Sequence, residues 1–150
     1  MIITFIGHSS IIINDTLYNK IKNTITEKIS TDSSVTFYCG GYGQFDDLCA
    51  SICREIKCNN KNCEIVFITP YLNLSYQNKI NSLINDKLFD AVIYPPIEKY
   101  PQRLAIIKRN EWMIKNSDIV IAYVSHEYGG AYKSFKYAQK ENKIIINFAT

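Results

Sequence analysis

Short apolar runs alternate with segments of helical periodicity along the whole chain, and this alternation restricts the fold more than any other feature. The apolar runs cover Ile2 to Ile6, Val35 to Cys39, Cys63 to Thr69, Ala91 to Tyr94, Asp118 to Val124 and Ile144 to Phe148. Runs of this length bounded by turn residues read as strands. Pro70 ends the third and Pro95-Pro96 stops the fourth. Between the first two, Leu17, Ile21, Ile25 and Ile29 recur every fourth residue, the repeat of one helix face. Leu48, Ile52 and Ile56 mark a second such face, and Ile80, Leu83 and Ile84 a shorter one. Further helices are predicted from Leu104 to Lys115 and from Tyr132 to Glu141. The pattern predicts an α/β fold: a Rossmann-like three-layer α/β/α sandwich with a mostly parallel sheet and helices on both faces.

The 150 residues, 47% of them hydrophobic, are enough for one core, so a single domain over 1–150 is expected. No linker, repeat or low-complexity segment divides it. No apolar stretch approaches the roughly 18 residues of a membrane span. The apolar start, Met1 to Ile6, lacks a basic flank and a cleavage site and reads as a strand. The five cysteines, an odd number, suit reduced thiols in a cytoplasmic protein. Cys49, Cys53, Cys58 and Cys63 have the spacing C-x3-C-x4-C-x4-C, without the C-x2-C knuckles of structural zinc sites. They are therefore expected to pack as thiols, and no metal or cofactor is expected. The net charge of +3, with only the short Lys108-Arg109 basic pair, argues against a nucleic-acid or membrane partner.

Ligands of parallel sheets bind at the carboxyl ends of the strands. That rule gathers four loops onto one edge: Gly7-His8-Ser9-Ser10, Gly40 to Gly43, Pro70-Tyr71, and Ser125 to Ala131. Three of the six glycines, Gly40, Gly41 and Gly43, sit with Tyr42 in one turn between the second strand and the second helix. Glycine admits positive φ and close approach of a ligand, and a helix start offers free N–H groups and a positive dipole end. The turn is a candidate phosphate seat. It reads G-G-Y-G-Q-F-D-D and is not the dinucleotide G-x-G-x-x-G fingerprint. Gly129, Gly130 and Ala131 form a second glycine turn of the same kind after the fifth strand. Arg109 carries a planar fork suited to phosphate, while Trp112 is expected to pack in the core. His8 stands directly after the first strand, where a ligand contact or proton transfer is possible near neutral pH.

Gly7-His8, Gly40-Gly41 with Asp46, Arg109-Asn110 with Met113, and Gly129-Gly130-Ala131 follow one another in an order that resembles the SLOG superfamily. This Rossmann-like group includes the Lonely Guy phosphoribohydrolases and the DNA-processing protein A family. The resemblance spans nearly the whole chain and is closest to small single-domain members. It implies a nucleotide or nucleotide-derived ligand at the glycine edge, held by Gly7, His8, Gly40, Gly41, Tyr42, Gly43, Arg109, Asn110, Gly129, Gly130 and Ala131. It also implies a possible homodimer, since related enzymes often pair. The Lonely Guy pattern P-G-G-x-G-T-x-x-E is altered here by Cys39, Gln44 and Asp47 in place of its proline, threonine and glutamate.

Two functional readings follow. In the first, the chain binds a nucleotide-derived signal, such as an ADP-ribose derivative or a cyclic nucleotide, and senses or sequesters it. In the second, it is a hydrolase or transferase that breaks the N-glycosidic bond of a nucleotide. That chemistry places positive charge on the sugar and needs an acid for the leaving base. Asp46, Asp47 and Glu127 are the candidate catalytic carboxylates.

Overall fold

Among the residues described by the computed structural model, 1–29 and 34–149, six strands alternate with five helices. The strands are β1 (Ile2–Gly7), β2 (Val35–Cys39), β3 (Cys63–Ile68), β4 (Ala91–Ile93), β5 (Ile119–Tyr123) and β6 (Ile144–Asn147). The helices are α1 (Asp15–Ile29), α2 (Gln44–Asn59), α3 (Leu74–Asn85), α4 (Ala105–Lys115) and α5 (Gly129–Lys140). A 3-10 turn, Gln102–Leu104, leads into α4.

Every strand pair is parallel, and the order across the sheet is β4-β3-β2-β1-β5-β6. The chain winds outward from β1 to β4, then crosses back and lays β5 against the other side of β1. This reversal opens a crevice between the carboxyl ends of β1 and β5, the position at which such sheets take ligands. The two strands that flank it are buried on both faces, with Ile3 to Ile6 and Ile119 to Ala122 withdrawn from solvent. That double burial explains their nearly continuous apolar sequence.

One face of the sheet is covered by α1, α2 and α3, and the other by α4 and α5. Leu17, Ile21, Ile25 and Ile29 of α1 are all buried, each contributing about 2 kcal/mol of burial free energy. The Asn14 side chain accepts from the Leu17 N–H at 2.9 Å and caps that helix. Asn73 caps α3 through the Tyr76 N–H. Cys39, Cys49, Cys53 and Cys63 lie buried in the larger core, and Cys58 is exposed. Burial pushes the Cys49 and Cys53 thiols well above their ordinary range, so they pack as apolar groups. Among the described residues no helix is long and apolar enough to cross a membrane.

Helix α5 departs from its predicted span by starting at Gly129 rather than Tyr132. Apolar periodicity reports only residues that pack, and Ala131, Tyr132 and Phe135 are the first of α5 to pack against the core. The opening turn carries two glycines with no side chain to pack, so hydrophobicity could not register it.

Candidate functional site

A cleft of about 280 Å³ opens at the crevice between β1 and β5. The loop after β1 supplies Gly7, His8, Ser9 and Ser10; the region around the start of α2 supplies Tyr42 and Asp46. Arg109 and Asn110 come from α4, and His126, Tyr128, Gly129, Gly130 and Ala131 from the far wall. Nine of the predicted site residues therefore meet here: Gly7, His8, Tyr42, Asp46, Arg109, Asn110, Gly129, Gly130 and Ala131.

The glycine turn after β2 contributes less of its backbone than its sequence suggests, for Gly40, Gly41 and Gly43 do not line the cleft. Gly41 has φ +66°, and a Cβ there would lie 2.3 Å from the Phe67 ring. Gly43 has φ +98°, and its Cβ would lie 2.6 Å from the Ser9 Cα. The Gln44 N–H donates to the Ser9 carbonyl at 2.9 Å, and Gln44 Oε1 accepts from the Ile11 N–H at 2.8 Å. The amino end of α2 is thus covered by the chain's own segment after β1. Gly41 and Gly43 are required by positive φ and close packing, against the Phe67 ring and the Ser9 backbone respectively.

The amino end of α5 is open by contrast. Tyr128 occupies the capping position, and its side chain makes no capping hydrogen bond to the first N–H groups. A Cβ at Gly129 or Gly130 would meet nothing within 4 Å. Gly129 and Gly130 line the cleft, so the first N–H groups of the helix and the positive end of its dipole lie at the cleft wall.

Arg109 stands in the cleft wall but is only 1% exposed. Its Nη1 donates to the carbonyls of Gly40 at 2.7 Å and Ile68 at 2.8 Å, and its Nε donates to Asn110 Oδ1 at 2.9 Å. The guanidinium joins α4 to the carboxyl ends of β2 and β3. An added methyl group on Gly40 would lie 3.1 Å from Asp46 Oδ2 and 3.3 Å from Arg109 Cζ, so the acid and the base flank that glycine. Asp46 also accepts from the Tyr42 N–H at 2.9 Å. Desolvation pushes the Asp46 carboxyl up to about 6, outweighing the opposing pull of Arg109 and of the Tyr42 N–H. Burial likewise lowers the Arg109 pKa against the attraction of Asp46. The cleft therefore holds a carboxyl that exchanges its proton near pH 6 beside a fixed cation.

On the opposite wall three rings stand in series. His8 stacks on His126 with centroids 3.7 Å apart and planes 10° apart, and His126 stacks on Tyr128 at 3.8 Å and 20°. His8 Nε2 accepts from the Ser125 N–H at 2.9 Å, which places the proton of its neutral ring on Nδ1. Burial first, and His126 second, lower the His8 pKa from 6.5. His126 Nδ1 is buried without a hydrogen-bond partner among the described residues.

Asp47 and Glu127 are exposed and outside the cleft lining, so of the three candidate carboxylates only Asp46 borders the cavity. Trp112 stacks on Tyr38, with centroids 5.5 Å apart, and packs beside Val66, Ile68 and Met113 in the core. Sequence reasoning did not pick out Tyr128 or Ser134, whose hydroxyl accepts from Asn110 Nδ2 at 3.4 Å. A signal existed for Tyr128. It precedes the glycine pair where a capping Ser, Thr, Asp or Asn would stand, and an uncapped glycine helix start leaves donors free.

No family model and no curated protein sequence matches the chain. Solved structures that share its fold include two of DNA processing protein A. DNA processing protein A from Helicobacter pylori, described for its unique single-stranded DNA binding mode, aligns over 98% of this chain and 64% of its own at TM-score 0.62 and 16% identity. DNA processing protein A (DprA) from Streptococcus pneumoniae aligns over 97% of this chain and 49% of its own at TM-score 0.62 and 10% identity. The chain spans less than two thirds of either protein. The likeness shows the Rossmann-like α/β fold. It also corrects the argument from net charge against a nucleic-acid partner, because the Helicobacter protein, which shares this fold, binds single-stranded DNA. Net charge is a sum over the surface and conceals its distribution. Arg54, Lys57, Lys61 and Lys87 here surround one hollow with a single carboxylate, Asp90.

Proposed function

We propose that the chain binds a nucleotide-derived ligand in the cleft between β1 and β5, as a sensor or sequestering protein, and seats its phosphate at the amino end of α5. The observation that carries this reading is the uncapped helix start, where Gly129 and Gly130 line the cleft and an added Cβ would meet nothing within 4 Å. Free backbone donors and a positive dipole end suit a phosphate dianion. Arg109 adds a fixed positive charge to the lining of the same cleft. Binding is favoured over N-glycosidic cleavage because that reaction needs a second acid for the leaving base. Asp46 borders the cavity, whereas Asp47 and Glu127 do not. Titration calorimetry against AMP, ADP-ribose and cyclic nucleotides tests the reading. Saturable heat without release of free base is the expected result, and no heat from any of them defeats it.

The likeness to DNA processing protein A favours a second reading, in which the phosphate belongs to single-stranded DNA. An oligothymidylate separates the two. Affinity above that of mononucleotides, falling steeply with salt as counterions are released, supports the strand; equal or weaker affinity supports the free nucleotide.

A further inference from the structure

The geometry points to Tyr128 as the seat of the ligand's base: the ring stack His8–His126–Tyr128 is a three-layer platform that a purine or pyrimidine extends as a fourth layer. The inference rests on the phosphate seat proposed above and adds the part of the ligand that lies beyond the phosphate.

Tyr128 is 70% exposed although its inner face is covered by His126. Exposed aromatic side chains ordinarily sample several rotamers. This one is held parallel to a ring that is itself held by another, and the innermost ring is fixed by the Ser125 N–H. The ordering is in place before any ligand arrives, so little side-chain freedom remains to be lost on binding. The outer face of Tyr128 offers a flat apolar surface of the kind on which bases stack. Its backbone occupies the capping position of α5 and connects directly to Gly129. A base on the ring and a phosphate on the helix end then occupy adjoining parts of one cleft, as the two ends of a nucleoside 5′-phosphate would. Stacking reads the π-face common to every base, so the platform selects for a planar base over a bare sugar phosphate and discriminates weakly among bases.

The test compares AMP with ribose 5-phosphate, which carries the same phosphate and sugar without the base. The wild-type chain is expected to bind AMP roughly five- to a hundredfold more tightly, the range that one base–aromatic stack supplies. Tyr128→Ala is expected to collapse that ratio toward one, and Tyr128→Trp to preserve it. His126→Ala, which removes the middle ring and leaves Tyr128 unsupported, lowers the ratio; His126→Phe, which restores a ring, recovers it. Equal wild-type affinity for the two compounds overturns the platform while leaving the phosphate seat standing. A ratio unchanged in Tyr128→Ala overturns it as well. Failure of both compounds to bind the wild type removes the phosphate seat and the platform together.

Discussion

Arg109 Nη1 donates to the Gly40 carbonyl at 2.7 Å, which pins the middle of α4 to the chain just beyond β2. The same nitrogen reaches the Ile68 carbonyl at 2.8 Å, so one buried side chain satisfies acceptors at two strand ends. A bare phosphate-binding arginine would keep its donors for the ligand. This one spends them on the scaffold and offers the cleft mainly its charge. Arg109→Ala leaves those acceptors unpaired and is expected to cost about 2–5 kcal/mol. Arg109→Lys keeps a charge without the planar fork and should lose a substantial part of that. Urea unfolding followed by circular dichroism measures both. An unchanged midpoint in Arg109→Ala would show that the buried fork is dispensable.

The two glycine turns should respond oppositely to alanine. Gly43→Ala forces a side chain into φ +98° with its Cβ 2.6 Å from the Ser9 Cα, so a loss of about 2 kcal/mol or more in stability is expected. Gly130→Ala meets nothing within 4 Å and places a better helix former in α5, worth roughly 0.5–1 kcal/mol of added stability. The same methyl group intrudes on the proposed phosphate seat, so ribose 5-phosphate affinity should fall about tenfold or more while stability holds or rises. Thermal unfolding and calorimetry on both variants decide the matter. Full ligand affinity in Gly130→Ala counts against a seat at α5.

These glycines also show where the sequence was and was not sufficient. The strand and helix spans were legible because packing residues repeat with the period of their element, as at Leu17, Ile21, Ile25 and Ile29. The edge that carries the cleft followed from the parallel fold. The partition of the glycines did not follow, because whether Gly43 faces a ligand or Ser9 depends on a segment more than thirty residues away. The inward turn of Arg109 was hidden for the same reason. A helical arginine reads as surface unless the strand-end carbonyls it reaches are known. Asp46 and Asp47 are adjacent and alike in sequence, yet the helix rotates one into the cleft and the other into solvent.

His8 should make stability depend on pH in a defined direction. Its pKa is lowered in the folded chain, chiefly by burial, so the folded state holds fewer protons on it than the unfolded state does. Its contribution is complete above about pH 6.5 and is lost as pH falls through the folded value. Protonation at Nε2 is incompatible with accepting from the Ser125 N–H. At pH 7.5, His8→Ala is expected to cost about 1–2 kcal/mol from that hydrogen bond and the ring contact. The gap between variant and wild type should narrow by pH 5.5. Urea midpoints that stay equally far apart at both values contradict a neutral, accepting His8.

Asp46 acts with the opposite sign. Its carboxyl is pushed up to about 6 in the folded chain from an ordinary 3.8, mainly by desolvation, so the folded state binds its proton more tightly than the unfolded state. The stability this confers is complete below about pH 4 and is lost as pH rises through 6. Asp46→Asn retains an acceptor for the Tyr42 N–H and never ionises. It should match the wild type near pH 4 and exceed it at pH 7.5 by about 1–2 kcal/mol, after discounting the full shift for the partial exposure of the side chain to the cleft. The ligand feels the same charge. A phosphate entering the cleft approaches an ionised Asp46 at pH 7.5 and a mostly neutral one at pH 5.5, so acidification should weaken ribose 5-phosphate binding less in the wild type than in Asp46→Asn, against the loss from protonation of the phosphate dianion at about pH 6. In Asp46→Asn the pH dependence should reflect only the protonation of the phosphate itself and of His8. A wild-type affinity that weakens on acidification exactly as the variant's does would remove Asp46 from the anion's surroundings.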